Sequence, residues 1–131
     1  GWPPAGSLLL WLVAITVLMI VSIAIAIMLV GLTINLRRAL SLTGFYVATG
    51  LAFSGFSYPR AAMGDVAQWW GGLLPYTHYL PVQQGQWLAG ASAGAWAHGM
   101  VPLLAFIVVP LLIGLPLLSS AVGQPARWGA R

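Results

Sequence analysis

The residues best suited to covalent chemistry lie in the second half of the chain, where Gly90, Ser92 and Gly94 form a G-x-S-x-G pattern. In a nucleophile elbow this pattern lies between a strand and a helix, and the triad partners normally follow the serine. Here a Gln- and Trp-rich stretch precedes Ser92, His98 follows it, and the only acidic residue, Asp65, lies upstream. A serine hydrolase using Ser92 and His98 is therefore an alternative, and a flexible join is the favoured interpretation.

Proton transfer and metal binding have few candidate residues. His78 and His98 are the only side chains with an ordinary pKa near neutrality, and with Asp65 they show no spacing typical of a metal site. The chain has no Cys and no G-x-x-x-x-G-K-[ST] phosphate loop. We therefore expect no catalytic residue, no metal and no cofactor in this chain, and structural hydrogen bonds for both histidines.

The composition excludes an ordinary soluble domain. Of the 131 residues, 60% are hydrophobic and 5% are charged, whereas soluble domains carry about a quarter charged residues. The net charge is +4, but the five arginines are scattered and no RNA-binding signature is present, so we exclude nucleic acid as a partner. The sequence indicates an all-α membrane protein with lipid around it.

Three uncharged apolar runs predict three transmembrane helices. The first, 8–31, is roughly 24 residues or ~36 Å long as a helix, enough to cross a bilayer. The second, 39–56, is near the lower limit and is diluted by Ser, Thr and Gly. The third, 100–122, contains three prolines, and we expect kinks near Phe106 and Leu112.

Arginine placement predicts the orientation of these runs. Three crossings put the two termini on opposite sides of the membrane. The arginines that follow the first and third runs share one side: Arg37, Arg38, Arg127 and Arg131. By the positive-inside rule that side is cytoplasmic. We expect a multi-pass protein of the cell membrane with its amino terminus outside and a cytoplasmic tail at 123–131.

The second run has two different sides. Small residues recur at steps of three and four along one stripe, where another helix can approach closely. This stripe comprises Ser41, Gly44, Ala48, Ala52 and Gly55. The larger Tyr46, Thr49, Phe53 and Phe56 occupy much of the other side, which would face either a cavity or simply lipid and protein. Ordinary packing is the favoured interpretation.

Between the second and third runs the composition changes to Trp, Tyr, Pro, Gly and Gln. Pro59 and Pro75 suit the first turn of a helix, and Gly71-Gly72 breaks the chain between them. We predict two short outer helices, 60–70 and 76–89. Because the segment is too polar to span and too apolar for a free loop, they form a re-entrant or interfacial hairpin.

These residues resemble a known family. The stretch SGFSYP at 54–59, a nearby Met63, and LLPYTHYL at 73–80 are similar to the carboxy-terminal half of type-2 ABC exporter permeases. The resemblance covers about 6–118. Many relatives have Pro where this chain has Gly64, so the start of the first short helix departs from the family pattern.

The resemblance implies that the three runs match the last three of six spans, and that 1–131 is a fragment of a longer transmembrane domain. This agrees with an opening that lacks an initiator Met. It further implies two protein partners, a cytoplasmic ABC ATPase that binds ATP and Mg and a second permease half in a homo- or heterodimer. The expected pathway residues are Tyr46, Phe53 and Phe56. The expected outer gate comprises Tyr58, Pro59, Pro75, Tyr76, Thr77 and His78.

The sequence therefore predicts three transmembrane helices with a two-helix hairpin between the second and third, in an exporter permease. Its uncharged aromatic residues suit an amphiphilic, lipid-like or drug-like cargo. Two rivals remain. One is a non-transporting membrane scaffold that uses the small stripe for partner packing, and the other is an intramembrane serine hydrolase.

Overall fold

The computed structural model describes residues 3–128, and this part of the chain is all-α. Its five α-helices are α1 (Leu8–Thr33), α2 (Leu36–Phe53), α3 (Asp65–Gly72), α4 (Pro75–Gln84) and α5 (Ala93–Val122). Shorter turns are the 3-10 turns Arg60–Ala62 and Pro125–Arg127 and the π-helical turn Gly85–Ala89. The described part of the chain thus consists of three longer helices, α1, α2 and α5, with a small group of short helices inserted between α2 and α5.

Two of these helices, α1 with 26 residues and α5 with 30, are long and apolar enough to cross a membrane. Within residues 3–128, α2 is not of this class. It has 18 residues, begins with Leu36-Arg37-Arg38, and continues through several Ser, Thr and Gly residues that lower its hydropathy. The first and third predicted runs are thus confirmed as candidate spans, and the second is not shown to be one.

Several predicted boundaries are wrong by a few residues, and local caps explain the differences. The second run begins as a helix at Leu36 rather than 39, because Asn35 Oδ1 accepts hydrogen bonds from the backbone amides of Arg37 and Arg38. It ends at Phe53 rather than 56. The third begins at Ala93 rather than 100, because Ser92 Oγ accepts from the Ala95 amide at 3.3 Å.

The ends of α1 and α5 also differ from the predicted runs. Helix α1 continues to Thr33 rather than ending at 31, and stops where Ile34 adopts the left-handed conformation. Helix α5 contains Pro102, Pro110 and Pro116 yet remains one helix to Val122. The kinks predicted along it therefore do not interrupt the helix. The predicted tail at 123–131 begins with a 3-10 turn, and its last three residues lie outside the described part.

Helices α1 and α5 pack in parallel along their length. Near their amino ends, Trp96 Nε1 donates to the Leu10 carbonyl at 2.9 Å. Towards their carboxyl ends Gly31 meets Gly114 so closely that a Cβ on Gly114 would lie 2.7 Å from the Met28 backbone. Because α2 returns from the carboxyl end of α1, it runs antiparallel to this pair. The α1–α2 turn and the turn after α5 therefore lie at the same end.

The core lies where α4 packs between α1 and α5, and it draws residues from all three helices. Its buried members are Ala14, Val21, Ile25, Tyr79, Val82, Met100 and Leu103. Most of the remaining apolar surface of α1 and α5 is exposed: Leu9 is 69% exposed and Leu112 is 71% exposed. The apolar side chains of the long helices thus face mainly outward.

Candidate functional site

The inserted segment consists of α3 and α4, joined by Leu73-Leu74, and we call it the hairpin. The predicted first outer helix, 60–70, is wrong as a single element. Its start is the separate 3-10 turn Arg60–Ala62, and α3 begins only at Asp65, after Gly64. The predicted second helix, 76–89, is divided into α4 from Pro75 and a π-helical turn.

The turn of the hairpin reaches deep between the long helices. The Tyr46 hydroxyl of α2 donates to the Leu73 carbonyl at 3.2 Å. The His78 ring lies 5.6 Å from the ring of Phe106, which is about 20 Å along α5 from Ala93. Leu73 also shares a cavity with Met28, near the carboxyl end of α1. The hairpin turn is therefore far from the amino end of the α1–α5 pair.

From this deep turn α4 runs back towards the amino end of the pair. Its first residues follow the buried Leu74, and the π-helical turn that continues it meets the segment before α1. There the Gly6 amide donates to the Gln86 carbonyl at 2.8 Å, and the Ala5 amide donates to the Trp87 carbonyl at 3.2 Å. The carboxyl end of the hairpin therefore lies beside the segment before α1, at the amino end of the α1–α5 pair.

Gln86 fastens this end of the hairpin. Its side chain is fully buried. Oε1 accepts from the Ser7 amide at 2.9 Å and Nε2 donates to the Ala91 carbonyl at 3.2 Å. The side chain thus connects the start of α1, the π-helical turn and the segment before α5. Sequence reasoning missed it, and the one available signal was a lone Gln between Gly85 and Gly90 in an aromatic stretch.

Aromatic residues surround the same junction. The rings of Trp11 and Trp87 meet edge to face with centroids 5.5 Å apart. Trp96 adds its bond to the α1 backbone. Tyr79 of α4 is almost fully buried in the core beside this junction. Its burial raises the pKa of its hydroxyl above the ordinary value, so the phenol stays protonated. Amphipathic rings at the end of apolar helices are typical of a membrane interface.

The predicted pathway residues do not lie together. Tyr46 lines a groove of about 220 Å³ between α1, α2 and α4, together with Ser22, Gly50 and Tyr76. Phe53 and Phe56 are not among the residues that line it. Phe56 lies beyond the end of α2 and is 68% exposed. The helical spacing of Thr43, Tyr46 and Gly50 is the signal that would have located this groove.

The predicted gate residues fall into two groups. Pro75, Tyr76, Thr77 and His78 form the first turn of α4, where Pro75 and Tyr76 line the groove. The His78 Nε2 lies 2.9 Å from the Gly72 carbonyl oxygen, which accepts its hydrogen bond. Thr77 is buried, and its hydroxyl has no hydrogen-bond partner in the described part of the chain. Tyr58 and Pro59 are exposed and lie apart from this turn.

Within residues 3–128 no other helix packs against the small-residue stripe of α2. Its helical members are exposed: Ser41, Gly44, Ala48 and Ala52. A Cβ added to Gly44 would meet nothing within 4 Å, and Gly55 lies outside the helix with φ of +98°. Helix α2 instead turns Tyr46 and Gly50 inward, where Tyr46 donates its hydrogen bond to Leu73 and both residues line the groove shared with α1 and α4.

The hydrolase pattern has a different local structure from a nucleophile elbow. Ser92 caps α5 with its hydroxyl, and a π-helical turn rather than a strand precedes it. His98 and Asp65 are both exposed. Among residues 3–128 no group of three or more His, Cys, Asp or Glu side chains is placed to hold a metal ion. The pattern is thus accounted for by helix capping.

Comparison with known proteins gives no assignment: no family model matches the sequence, and neither a curated protein nor a solved structure is significantly similar to it. The class of the molecule therefore follows from its own architecture. It is an all-α chain with two candidate membrane spans and an inserted hairpin.

Proposed function

We propose that the chain is part of the permease of an ATP-driven type-2 ABC exporter, in which the hairpin forms the outer gate. The observation that carries this proposal is the depth of the α3–α4 turn, which contacts Tyr46 and Phe106 midway along their helices. A short broken segment at that depth is tolerated in a membrane only when protein or a water-filled cavity covers it. Such a segment is suited to opening and closing a pathway.

The surface of the long helices supports a membrane location. In their most hydropathic windows, 22% of α1 and 17% of α5 is buried. A core helix of a soluble protein buries most of its apolar side chains, and an apolar surface this extensive needs lipid or a protein partner. We place α2 across the bilayer beside them as the third span, with Arg37 and Arg38 cytoplasmic and the amino end of α1 outside.

The groove beside Tyr46 supports an amphiphilic cargo. Four of its lining residues carry a hydroxyl group, Ser22, Thr43, Tyr46 and Tyr76, the others are apolar, and none is charged. An ion would lose its hydration there without compensation. A lipid-like or drug-like molecule loses much less. The energy comes from a cytoplasmic ABC ATPase that binds ATP and Mg, and a second permease half completes the pathway.

The proposed mechanism uses two arrangements of the hairpin. In the arrangement described here the Tyr46 hydroxyl holds the Leu73 carbonyl, and α4 fills the space between α1, α2 and α5. ATP binding at the partner subunit biases a second arrangement in which this contact is broken and the groove opens outward. The deep contact is therefore the element that must move.

A cross-link across this contact tests the gate. The full-length permease and its ATPase are reconstituted in proteoliposomes with Tyr46→Cys and Leu73→Cys as the only cysteines; residues 1–131 contain none of their own. Because the contact is made through the whole length of the tyrosine side chain, a cleavable bifunctional thiol reagent is used in place of direct disulfide formation. Cross-linking should abolish ATP-dependent flux of a fluorescent amphiphile, and cleavage of the linker should restore it. Each single-Cys variant treated with the same reagent serves as control and should retain flux. Undiminished flux after complete cross-linking contradicts the gate.

Cysteine accessibility tests the orientation independently. In intact cells an impermeant thiol reagent should label Cys at Asp65 or Gln83 from outside, and Cys at Asn35 or Gln124 only after permeabilisation. The reverse labelling pattern contradicts the proposed topology.

Two rivals are separated by the same preparations. The exposed small stripe on α2 favours a scaffold that packs against partners without transport, and complete absence of ATP-dependent flux in the reconstituted complex supports that rival. Labelling by a fluorophosphonate probe that disappears in Ser92→Ala supports a serine hydrolase.

A further inference from the structure

The turn between α1 and α2 forms a further recess, which we call the arginine pocket. It has a volume of about 350 Å³ and is lined by Thr33, Arg37, Arg38, Ser41 and Leu42. Its residues come from the last turn of α1 and the first two turns of α2. The pocket shares no lining residue with the proposed gate, so it can be considered separately from transport.

Within residues 3–128 no acidic side chain lines the arginine pocket. The one acidic side chain in the sequence, Asp65, begins α3, after the segment that leaves the opposite end of α2. That end, at Phe53, is about 25 Å along the helix from Arg37. Two adjacent guanidinium groups without a carboxylate make the pocket attractive to an anion.

The hydrogen-bond donors that are available in the arginine pocket indicate which anion it can bind. The Thr33 hydroxyl donates to the Leu29 carbonyl at 2.8 Å, and the Ser41 hydroxyl donates to the Arg37 carbonyl at 3.1 Å. The amides of Arg37 and Arg38 are held by Asn35. The guanidinium groups are therefore the main donors, and their planar forks match the oxygens of a phosphate group in bidentate pairs.

The position of the pocket indicates where that phosphate comes from. Thr33 is the last residue of α1, one of the two helices long enough to cross a membrane, so the pocket lies at headgroup level when α1 spans. Leu42 forms an apolar wall, and the neighbouring Leu36 and Leu40 are exposed. A soluble phosphate ion has no apolar group that could contact these leucines, whereas the acyl chain of a phospholipid would cover them.

We propose that the arginine pocket binds the phosphate of an anionic phospholipid, with Arg37 and Arg38 as its ligands and an acyl chain lying along Leu42. Basic recesses at the cytoplasmic ends of transmembrane helices recognise such headgroups. The proposal depends on α1 lying in a bilayer and not on export. It assigns this end of the chain a lipid-binding role that the gate does not require.

Lipid competition measures this preference directly. The full chain is purified in detergent, given equal amounts of phosphatidylglycerol and phosphatidylcholine, and analysed by native mass spectrometry. Two charge-assisted contacts predict that phosphatidylglycerol is retained roughly 30-fold over phosphatidylcholine. In Arg37→Gln/Arg38→Gln the two lipids should be retained about equally. Arg37→Lys/Arg38→Lys keeps the charge but loses the planar fork, and it should give an intermediate ratio.

Matched controls distinguish a site from general surface charge. Arg127→Gln removes one charge from the segment that follows α5 and should leave the ratio unchanged. An equal loss in Arg127→Gln overturns the proposal. So does displacement of the retained lipid by inorganic phosphate, which would reveal a site for a soluble anion.

Far-ultraviolet circular dichroism, which reports the helix content, checks that each variant is folded. If the Gln variant unfolds, wild type and the Lys variant decide the question, and identical ratios in these two overturn the proposal. Transport failure is a separate result, because a chain without ATP-dependent flux can still retain phosphatidylglycerol selectively. Loss of selectivity with normal flux, in turn, leaves the proposed gate intact.

Discussion

In helices α4 and α5, burial and polarity of the side chains are combined in the opposite way from a soluble protein, where apolar helices are the buried ones. Helix α4 carries Pro, Thr, His and Gln, yet half of its ten residues are buried: Pro75, Thr77, Tyr79, Leu80 and Val82. Helix α5 is far more apolar and leaves most of its surface exposed. Exposure of the apolar side chains of α5 is unfavourable in water, whereas lipid or a protein partner would cover them. The comparison is the one expected for candidate membrane spans around a more polar inserted helix.

The largest expected effect is that of a substitution on the buried face of α5, compared with one on its exposed face. Leu103 is 0% exposed in the core with α1 and α4, whereas Leu112 is 71% exposed on the same helix. Leu103→Ala should lower the free energy of unfolding in bilayers by about 2–5 kcal/mol, because a cavity remains. Leu112→Ala should change it by less than about 0.5 kcal/mol. Steric-trap unfolding measures both, and equal losses would remove the distinction between the two faces.

A somewhat smaller effect is expected at the tight contact between α1 and α5. A Cβ on Gly114 would lie 2.7 Å from the backbone of Met28, whereas a Cβ on Gly44 would meet nothing within 4 Å. Gly114→Ala should therefore cost about 3 kcal/mol through overpacking. Gly44→Ala should be neutral or slightly stabilising, since Ala favours the helix. The same unfolding assay checks the pair, and a stable Gly114→Ala contradicts the close approach.

The third test concerns the buried polar junction. Gln86→Leu leaves the Ser7 amide and the Ala91 carbonyl without their partner, which should cost about 2 kcal/mol. Hydrogen exchange at the Ser7 amide should accelerate in parallel. Gln84 is exposed in the preceding turn, so Gln84→Leu is the matched control and should leave both readouts unchanged. Unaltered exchange in Gln86→Leu argues against the junction.

The smallest expected effect is at the deep turn. Tyr46→Phe removes the hydrogen bond to the Leu73 carbonyl and nothing else of the ring, for a loss of about 1 kcal/mol. Tyr58→Phe alters an exposed hydroxyl and should have no effect. Thermal unfolding of the two variants in the same lipid compares them. A Tyr46→Phe variant as stable as Tyr58→Phe would show that this bond contributes nothing to the position of the hairpin.

Local patterns predicted the elements better than their contacts. The apolar runs identify α1 and α5, and Pro75 marks the start of α4, because hydropathy and proline act over a few residues. The early start of α5 at Ala93 was readable in principle, since Ser92 is a good cap and no charge interrupts the residues before 100. A search for apolar runs alone leaves out residues 93–99, which form the first turns of α5 but are not part of the apolar run.

The residues that the sequence misassigned depend on tertiary partners. Nothing in the pattern of α2 shows that its small stripe stays exposed, because both of its sides have helical spacing. The choice is made by Tyr46, whose partner is distant in the chain. Gln86 and Ser7 are separated by 79 positions, so no local rule joins them. The arginine pocket likewise arises from a turn that brings Thr33 next to Arg37.

The parallel packing of α1 against α5 constrains biosynthesis. The face of α1 around Gly31 meets Gly114 only after the 80 residues 34–113 that follow α1 have been made. In the proposed membrane location, lipid or a chaperone would cover that surface of a nascent α1 until then. Ribosome stalling between α4 and α5 would yield a chain whose α1 lacks its α5 partner and is open to quality control.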